Sequence, residues 1–154
     1  MRRALFTLLC LAACNGTEDD DGPAPDFPAD YAASYVEVRD CRTSGDHDLN
    51  YVRMLADPVA LSPYENRDAP FPVGAVVIKE EYDFTDTDCS GAIKQWTVMT
   101  RLADGTAPAA LDWRWQRVDA DRNVVGVDTP RCYGCHTGCG VESEGGYEGT
   151  CAHP

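Results

Sequence analysis

Histidine, basic charge and long apolar runs are all in short supply in this chain. It has three histidines in 154 residues, and 13 Lys and Arg against 26 Asp and Glu, for a formal charge of −13. A surface so poor in cations argues against nucleic acid as a partner and against docking on anionic lipid through basic patches. It suits a basic redox partner, or solubility alone. Past the first 13 residues no stretch is apolar enough to cross a bilayer as a helix. There is no internal repeat, no thioredoxin-like βαβ pattern and no second closely spaced cysteine pair.

What is present begins at the amino end. Met1-Arg2-Arg3 precedes an apolar run over residues 4–13 broken only by Thr7. A charged start followed by a short apolar core reads as an export signal, too short to remain as a membrane span. The run ends Leu11-Ala12-Ala13-Cys14, which resembles the bacterial lipobox. That resemblance implies cleavage before Cys14 and acylation of its thiol and new amino group, giving a lipid anchor in the bacterial envelope that faces the periplasm or the exterior. The competing reading is an ordinary signal peptide cut nearby. An unpaired Cys14 would then be a liability, which favours the anchor. Residues 15–30 (NGTEDDDGPAPDFPAD) are acidic and rich in Pro and Gly, and read as a solvated tether. Residues 31–154 then form one small domain. Loss of Arg2 and Arg3 with the signal takes the formal charge from −13 to −15.

Near the carboxyl end stands Arg131-Cys132-Tyr133-Gly134-Cys135-His136. A Cys-x-x-Cys-His run is the pattern of covalent c-type haem attachment. The two thiols add across the haem vinyl groups, and a neutral imidazole held beneath the porphyrin binds iron. Cys132 and Cys135 are therefore read as thioether anchors of one haem c, and His136 as its axial ligand. Three other readings compete. A redox dithiol wants the absent βαβ pattern. Half of a zinc site, completed by Cys139 and Cys151, wants a second close ligand pair. A disulfide framework in an exported tail is the third. With only three histidines, chance rarely sets one directly after such a cysteine pair, and haem is favoured.

Of the eight cysteines, Cys10 leaves with the signal, Cys14 takes lipid, and Cys132 and Cys135 take haem. Cys41, Cys89, Cys139 and Cys151 remain, an even number in an oxidising compartment with three possible pairings. Cys139 and Cys151 bracket a Gly-rich loop with no apolar core (GVESEGGYEGT). A bridge closing it would restrict the unfolded chain by roughly 3 kcal/mol. Cys41 with Cys89 follows by elimination.

Between tether and haem run, residues 31–38 have helix-like apolar spacing after a cap at Asp30, predicting a short first helix. Residues 49–55 read as a strand, and Asp57-Pro58 starts a short helix through about Tyr64. A Pro-rich PFPVG turn leads into residues 75–82 (AVVIKEEY), the strongest strand signal. Residues 93–102 and 111–118 give two more strands across a Gly/Pro turn, and 124–127 a short edge strand. The fold class is α+β: a small antiparallel sheet with flanking helices and a C-terminal haem-attachment helix.

This order of elements resembles the cytochrome P-460 family, which includes the cytochromes c′-beta. Asp57-Pro58, FPVGAVVIKEE, Asp112-Trp113 and the Cys132 to His136 run carry the resemblance, which spans roughly residues 31–140. It implies a sheet-dominated haem fold, not the four-helix bundle of ordinary cytochromes c′. It also places Lys79 at the position of the lysine that true P-460 members bond to a haem meso carbon. On a strand, Lys79 shares its face with Ala75 and Val77, where burial would favour the neutral, nucleophilic amine. A lysine at a sheet rim, its head in water and paired to Glu80 or Glu81, is the alternative. The chain departs from hydroxylamine-oxidising members in one respect. They place a distal carboxylate on the strand after the lysine, whereas residues 96–101 (WTVMTR) carry none. An amine bound there would lack a general base. Trp96, Met99, Trp113 and Trp115 read as core or haem-wall packing. His47, in a polar turn, and His153, at a fraying end, read as solvated or capping rather than as sixth ligands.

Taken together, the expectation is a membrane-tethered mono-haem protein that binds or oxidises small nitrogenous ligands such as nitric oxide or hydroxylamine. Whether it is a haem oxidoreductase is left open. A non-catalytic electron carrier and a haem-free, disulfide-stapled lipoprotein are the alternatives.

Overall fold

The computed structural model describes residues 22–139, except the side chain of Cys139, and residues 146–151. The signal run, Cys14 and His153 lie outside them. Among the described residues no helix is long and apolar enough to cross a membrane.

Runs of β-branched and aromatic residues at period two build the molecule. β1 (Val36–Thr43), β2 (Tyr51–Ala56), β3 (Val76–Tyr82), β4 (Gln95–Arg101), β5 (Trp113–Asp119) and β6 (Val124–Val127) form one antiparallel sheet. Its spatial order is the order of the sequence, each strand pairing with the next. Two short helices complete it, α1 (Leu61–Asn66) between β2 and β3, and α2 (Pro130–Cys139) after β6. The α+β class, the strands at β2 to β6 and the C-terminal helix all stand as expected. The Asp57 step works as a cap, its carboxylate accepting the Ala60 N–H at 2.6 Å.

The predicted first helix is replaced. Tyr31–Ala33 make a single 3-10 turn, and β1 starts at Val36. Val36 and Val38 alternate with Glu37 and Arg39, and pairing with β2 outweighs the weaker helical spacing. The end of the predicted tether is also part of the folded body. Phe27 is 3 % exposed, its ring edge-on to Tyr31 with the Arg122 guanidinium 4.3 Å above it. Asp26 pairs with Arg114, and Gln116 bonds both Asp26 N–H and the Ala24 carbonyl. One aromatic in an acidic, Pro-rich stretch was enough apolar surface to bind it to the sheet.

Both faces of the sheet are covered. One carries Phe27, Tyr31, Leu55, Val76, Ile78, Trp96, Val98 and Val118. The other carries Val52, Met54, Val77, Met99, Trp113 and Trp115, with Tyr64 and Phe71 beside them and Cys132 and Tyr133 packed on top. Register makes this second face coherent, because Met54 and Thr97 flank Lys79, and Val77 and Trp115 flank Met99. A disulfide joins Cys41 of β1 to Cys89 of the β3–β4 loop, as expected.

Candidate functional site

The second face is the floor of a cavity of about 890 Å³, roofed by α2 and closed at one side by the 44–50 loop. Met54, Val77, Met99 and Trp115 give it apolar walls, and Arg39, Arg42, Arg117 and Arg131 stand around it. That size falls within the usual range for a small-molecule or cofactor site. Cys132, Cys135, His136 and Lys79, four residues singled out in the sequence, all line it.

The helix positions its own three. Cys132 and Cys135, three apart on α2, lie on neighbouring turns, one half-buried and one exposed, both as thiols. Thr129 Oγ1 lies 3.0 Å from Cys132 Sγ at the start of the helix. The His136 ring packs on Trp115 with centroids 4.5 Å apart. Its Nδ1 donates to the Gly149 carbonyl at 2.6 Å, which leaves the lone pair on Nε2. Burial pushes the imidazole down to about 4, so it is neutral at pH 7, the form that ligates metal.

Gly149 is a residue whose role the sequence did not disclose. In the sequence the turn that carries it is only a Gly-rich loop without a core. In the structure Trp113 Nε1–H donates to the Glu148 carbonyl at 2.6 Å, and the Glu148 carboxylate accepts the Phe71 N–H at 2.9 Å. Tyr147 donates to the Ala69 carbonyl at 2.6 Å. The turn is thereby nailed to the β2–β3 connection and to β5. Cys151, at its end, is disulfide-bonded; the side chain of Cys139, the partner expected for it, lies outside the described residues.

Lys79 lies on the cavity face beside Val77, as the strand period requires, and its partner is neither Glu80 nor Glu81. Its Nζ is 2.8 Å from His47 Nε2, and His47 Nδ1 is 2.8 Å from Glu81 Oε1. His47 is thus a correction to the solvated-turn reading. Its side chain is 18 % exposed and forms part of the cavity wall. Glu81 is fully buried and accepts from Gln95 at 2.8 Å and Asn50 at 3.2 Å as well. Burial works against ionisation of Glu81, but these hydrogen bonds outweigh it and hold the carboxyl below its usual range. Burial pushes the Lys79 ammonium down to about 8, against the pull of Glu81 and Asp46. The 96–101 strand has no carboxylate, yet the cavity has one from β3 itself. Glu81 stands two residues from Lys79, and that spacing was the available signal.

Glu80 points to the opposite face. Tyr31 and Tyr82 hydroxyls donate to it at 2.6 Å each, and Arg53 pairs with it. Of the aromatic residues, Trp115 lines the cavity with Met99, Trp113 packs in the same cluster, and Trp96 belongs to the other face.

A six-stranded antiparallel sheet with an imidazole-bearing helix over a cavity of this size has the architecture of a cofactor-binding domain. The chain belongs to the Cytochrome P460 family, whose model matches residues 28–142. Membership implies a haem cofactor. No curated protein matches the chain significantly.

Proposed function

We propose that the protein is a mono-haem cytochrome whose haem is bound covalently through Cys132 and Cys135, with His136 as axial ligand, and that its cavity binds or oxidises small nitrogenous molecules such as nitric oxide or hydroxylamine. One observation carries this reading: a neutral His136, fixed by Gly149, faces the same cavity as both cysteines of its run. The residues fit a porphyrin. Apolar walls suit the ring, and Arg39 Nε and Trp115 Nε1 are buried donors without a partner among the described residues, suited to its carboxylates. Bound haem would supply an iron centre with redox and ligand-binding chemistry.

The protein's own groups then divide the work. Trp115 and the Gly149 carbonyl orient the His136 ring; Met54, Val77 and Met99 exclude water; Lys79 and His47 bring polar nitrogen to the cavity. Both ring nitrogens of His47 are engaged, to Lys79 and Glu81. That favours an open sixth position over an electron carrier with a second histidine ligand. Cys151, one of the two further ligands a zinc site would need, is disulfide-bonded, which favours haem over zinc. Lys79 lines the same cavity, and a bond from it to the porphyrin is part of the reading. The lipid anchor at Cys14 would hold the domain at the bacterial envelope.

The test is chemical. Acid-acetone extraction should leave the colour on the polypeptide, and Cys132→Ala with Cys135→Ala should abolish it. Colourless wild-type protein carrying zinc would overturn the proposal. A Lys79 bond would join the AVVIKEE peptide to the haem peptide after digestion, and Lys79→Ala would separate them.

A further inference from the structure

Glu81, His47 and Lys79 form a continuous line of hydrogen bonds on the cavity face, and the haem reading gives Glu81 no role and His47 only that of a polar wall. The line is built. Its inner end is a carboxylate with no exposure, held by Gln95 and Asn50 in addition to His47. Its middle is a ring contacted at 2.8 Å on both sides, and its outer end is an amine on the floor of the cavity. A carboxylate that accepts one imidazole N–H fixes the tautomer, so the other ring nitrogen must accept. That nitrogen, Nε2, is the one against Lys79.

We propose that His47, oriented by Glu81, is the proton acceptor for Lys79 and makes that amine the nucleophile of the cavity, competent toward small carbonyl compounds. In the first step an N–H bond of the Lys79 ammonium breaks, the proton passes to His47 Nε2, and the electron pair stays on Nζ. The imidazolium is stabilised by Glu81 through Nδ1–H. Nζ then adds to the carbonyl carbon as its π bond breaks, and the proton held on His47 passes to the carbonyl oxygen. His47 takes a second proton from Nζ and gives it to the same oxygen. The C–O bond breaks, water leaves and the protonated imine forms with its last N–H proton on Nζ. No oxidant or reductant is needed. The other charged or titratable groups facing Lys79 are Asp46 from the 44–50 loop, Arg39 from β1, and Cys132 and His136 from α2. Burial already weakens the ammonium, in the same direction. This relay needs no haem. A bond from Lys79 to a porphyrin carbon would begin with the same deprotonation, and that extension rests on the reading above.

The chain contains two lysines, Lys79 and Lys94. Lys94 donates to Asn50 Oδ1 at 2.9 Å and serves as an internal standard. The full protein, purified with whatever haem it carries, is treated with formaldehyde and cyanoborohydride, and methylation of each lysine is followed by peptide mapping across pH. At pH 7 Lys79 should react at least about tenfold faster than Lys94, with its profile turning near 8. His47→Gln should bring it to the rate of Lys94, Glu81→Gln should fall between, and added imidazole should restore the rate of His47→Gly, which a merely structural role would not allow. Where Lys79 arrives already joined to the haem peptide, the same maps should show the joined fraction falling in His47→Gln. Unjoined wild-type Lys79 that reacts no faster than Lys94 overturns the proposal, and needs no variant to fold. So does a His47→Gln protein, folded by its melting curve, in which rate and joined fraction are unchanged. A colourless chain with a fast, His47-dependent Lys79 removes the haem reading and leaves this one standing.

Discussion

Gly149 shows how much of a site can hang on one backbone conformation. Its φ is +89°, and a Cβ there would meet Trp113 and Leu111 atoms at 3.2 and 3.3 Å. Gly149→Ala should therefore cost about 1–3 kcal/mol in urea unfolding and disturb the axial-ligand spectrum, because the carbonyl that orients His136 moves with it. Glu81→Gln tests the buried carboxylate. Losing a charged acceptor of three hydrogen bonds should cost about 1–3 kcal/mol at pH 7. The folded carboxyl lies below its ordinary value, so its contribution is present above the unfolded value near 4.5 and is lost as pH falls through the folded one. Wild type and Glu81→Gln should converge in acid, read by urea midpoints from pH 7 down to pH 3. At this scale the sequence was legible where a motif or a strand period spoke. These signals single out Lys79 and the Cys132 to His136 run, whose cysteines and histidine share one cavity with Lys79. His47 and Gly149 were not, since their roles depend on a loop and a turn folding back onto distant strands.

Among the elements, β1 is the one that local spacing misjudged. It is a bulged edge strand, its register with β2 shifting between Glu37 and Arg39 and again between Arg39 and Arg42, and a pattern broken in this way imitates a helix. The Cys41–Cys89 bridge pins that strand to the β3–β4 loop across 48 residues. Removing it with Cys41→Ala and Cys89→Ala should lower stability by about 2–4 kcal/mol in urea unfolding. It should also loosen the 44–50 loop that follows β1 and carries His47. The amino-terminal strap is held mainly by one side chain, and Phe27→Ala should cost about 3–5 kcal/mol, with the Trp96 fluorescence reporting the exposed face, since the two rings stand 5.6 Å apart. Composition alone placed that segment in solvent. Its partners Arg114, Gln116 and Arg122 lie some ninety residues on, where no local pattern could reveal them.

For the whole molecule, the proposed lipid tether and the proposed nitric oxide site make separable predictions. Cys14→Ser should release the protein into the soluble periplasmic fraction or block its processing, seen by fractionation and size. The reduced protein should bind nitric oxide as a five-coordinate haem with an open sixth position would, shown by its absorption spectrum, and His136→Ala should abolish the spectrum of the intact site. The α+β class followed directly from strand periods between turn residues, and the site's location followed from one short motif. Its depth did not, because a cavity is made by the register of four strands at once.

Because each strand lies beside its successor in the chain, the sheet is built from short-range closures, a topology that favours fast, local assembly. Synthesis runs from the amino end, and the earlier strands can associate before later segments exist. The cysteines at 132 and 135 follow the last strand, and the Gly149 turn follows them. The strands that wall the cavity thus precede in the chain the two thiols proposed as haem anchors. The hydrogen bond from His136 to the Gly149 carbonyl uses a residue that follows both cysteines in the chain, so this tie on the imidazole forms only once the residues beyond them have been made.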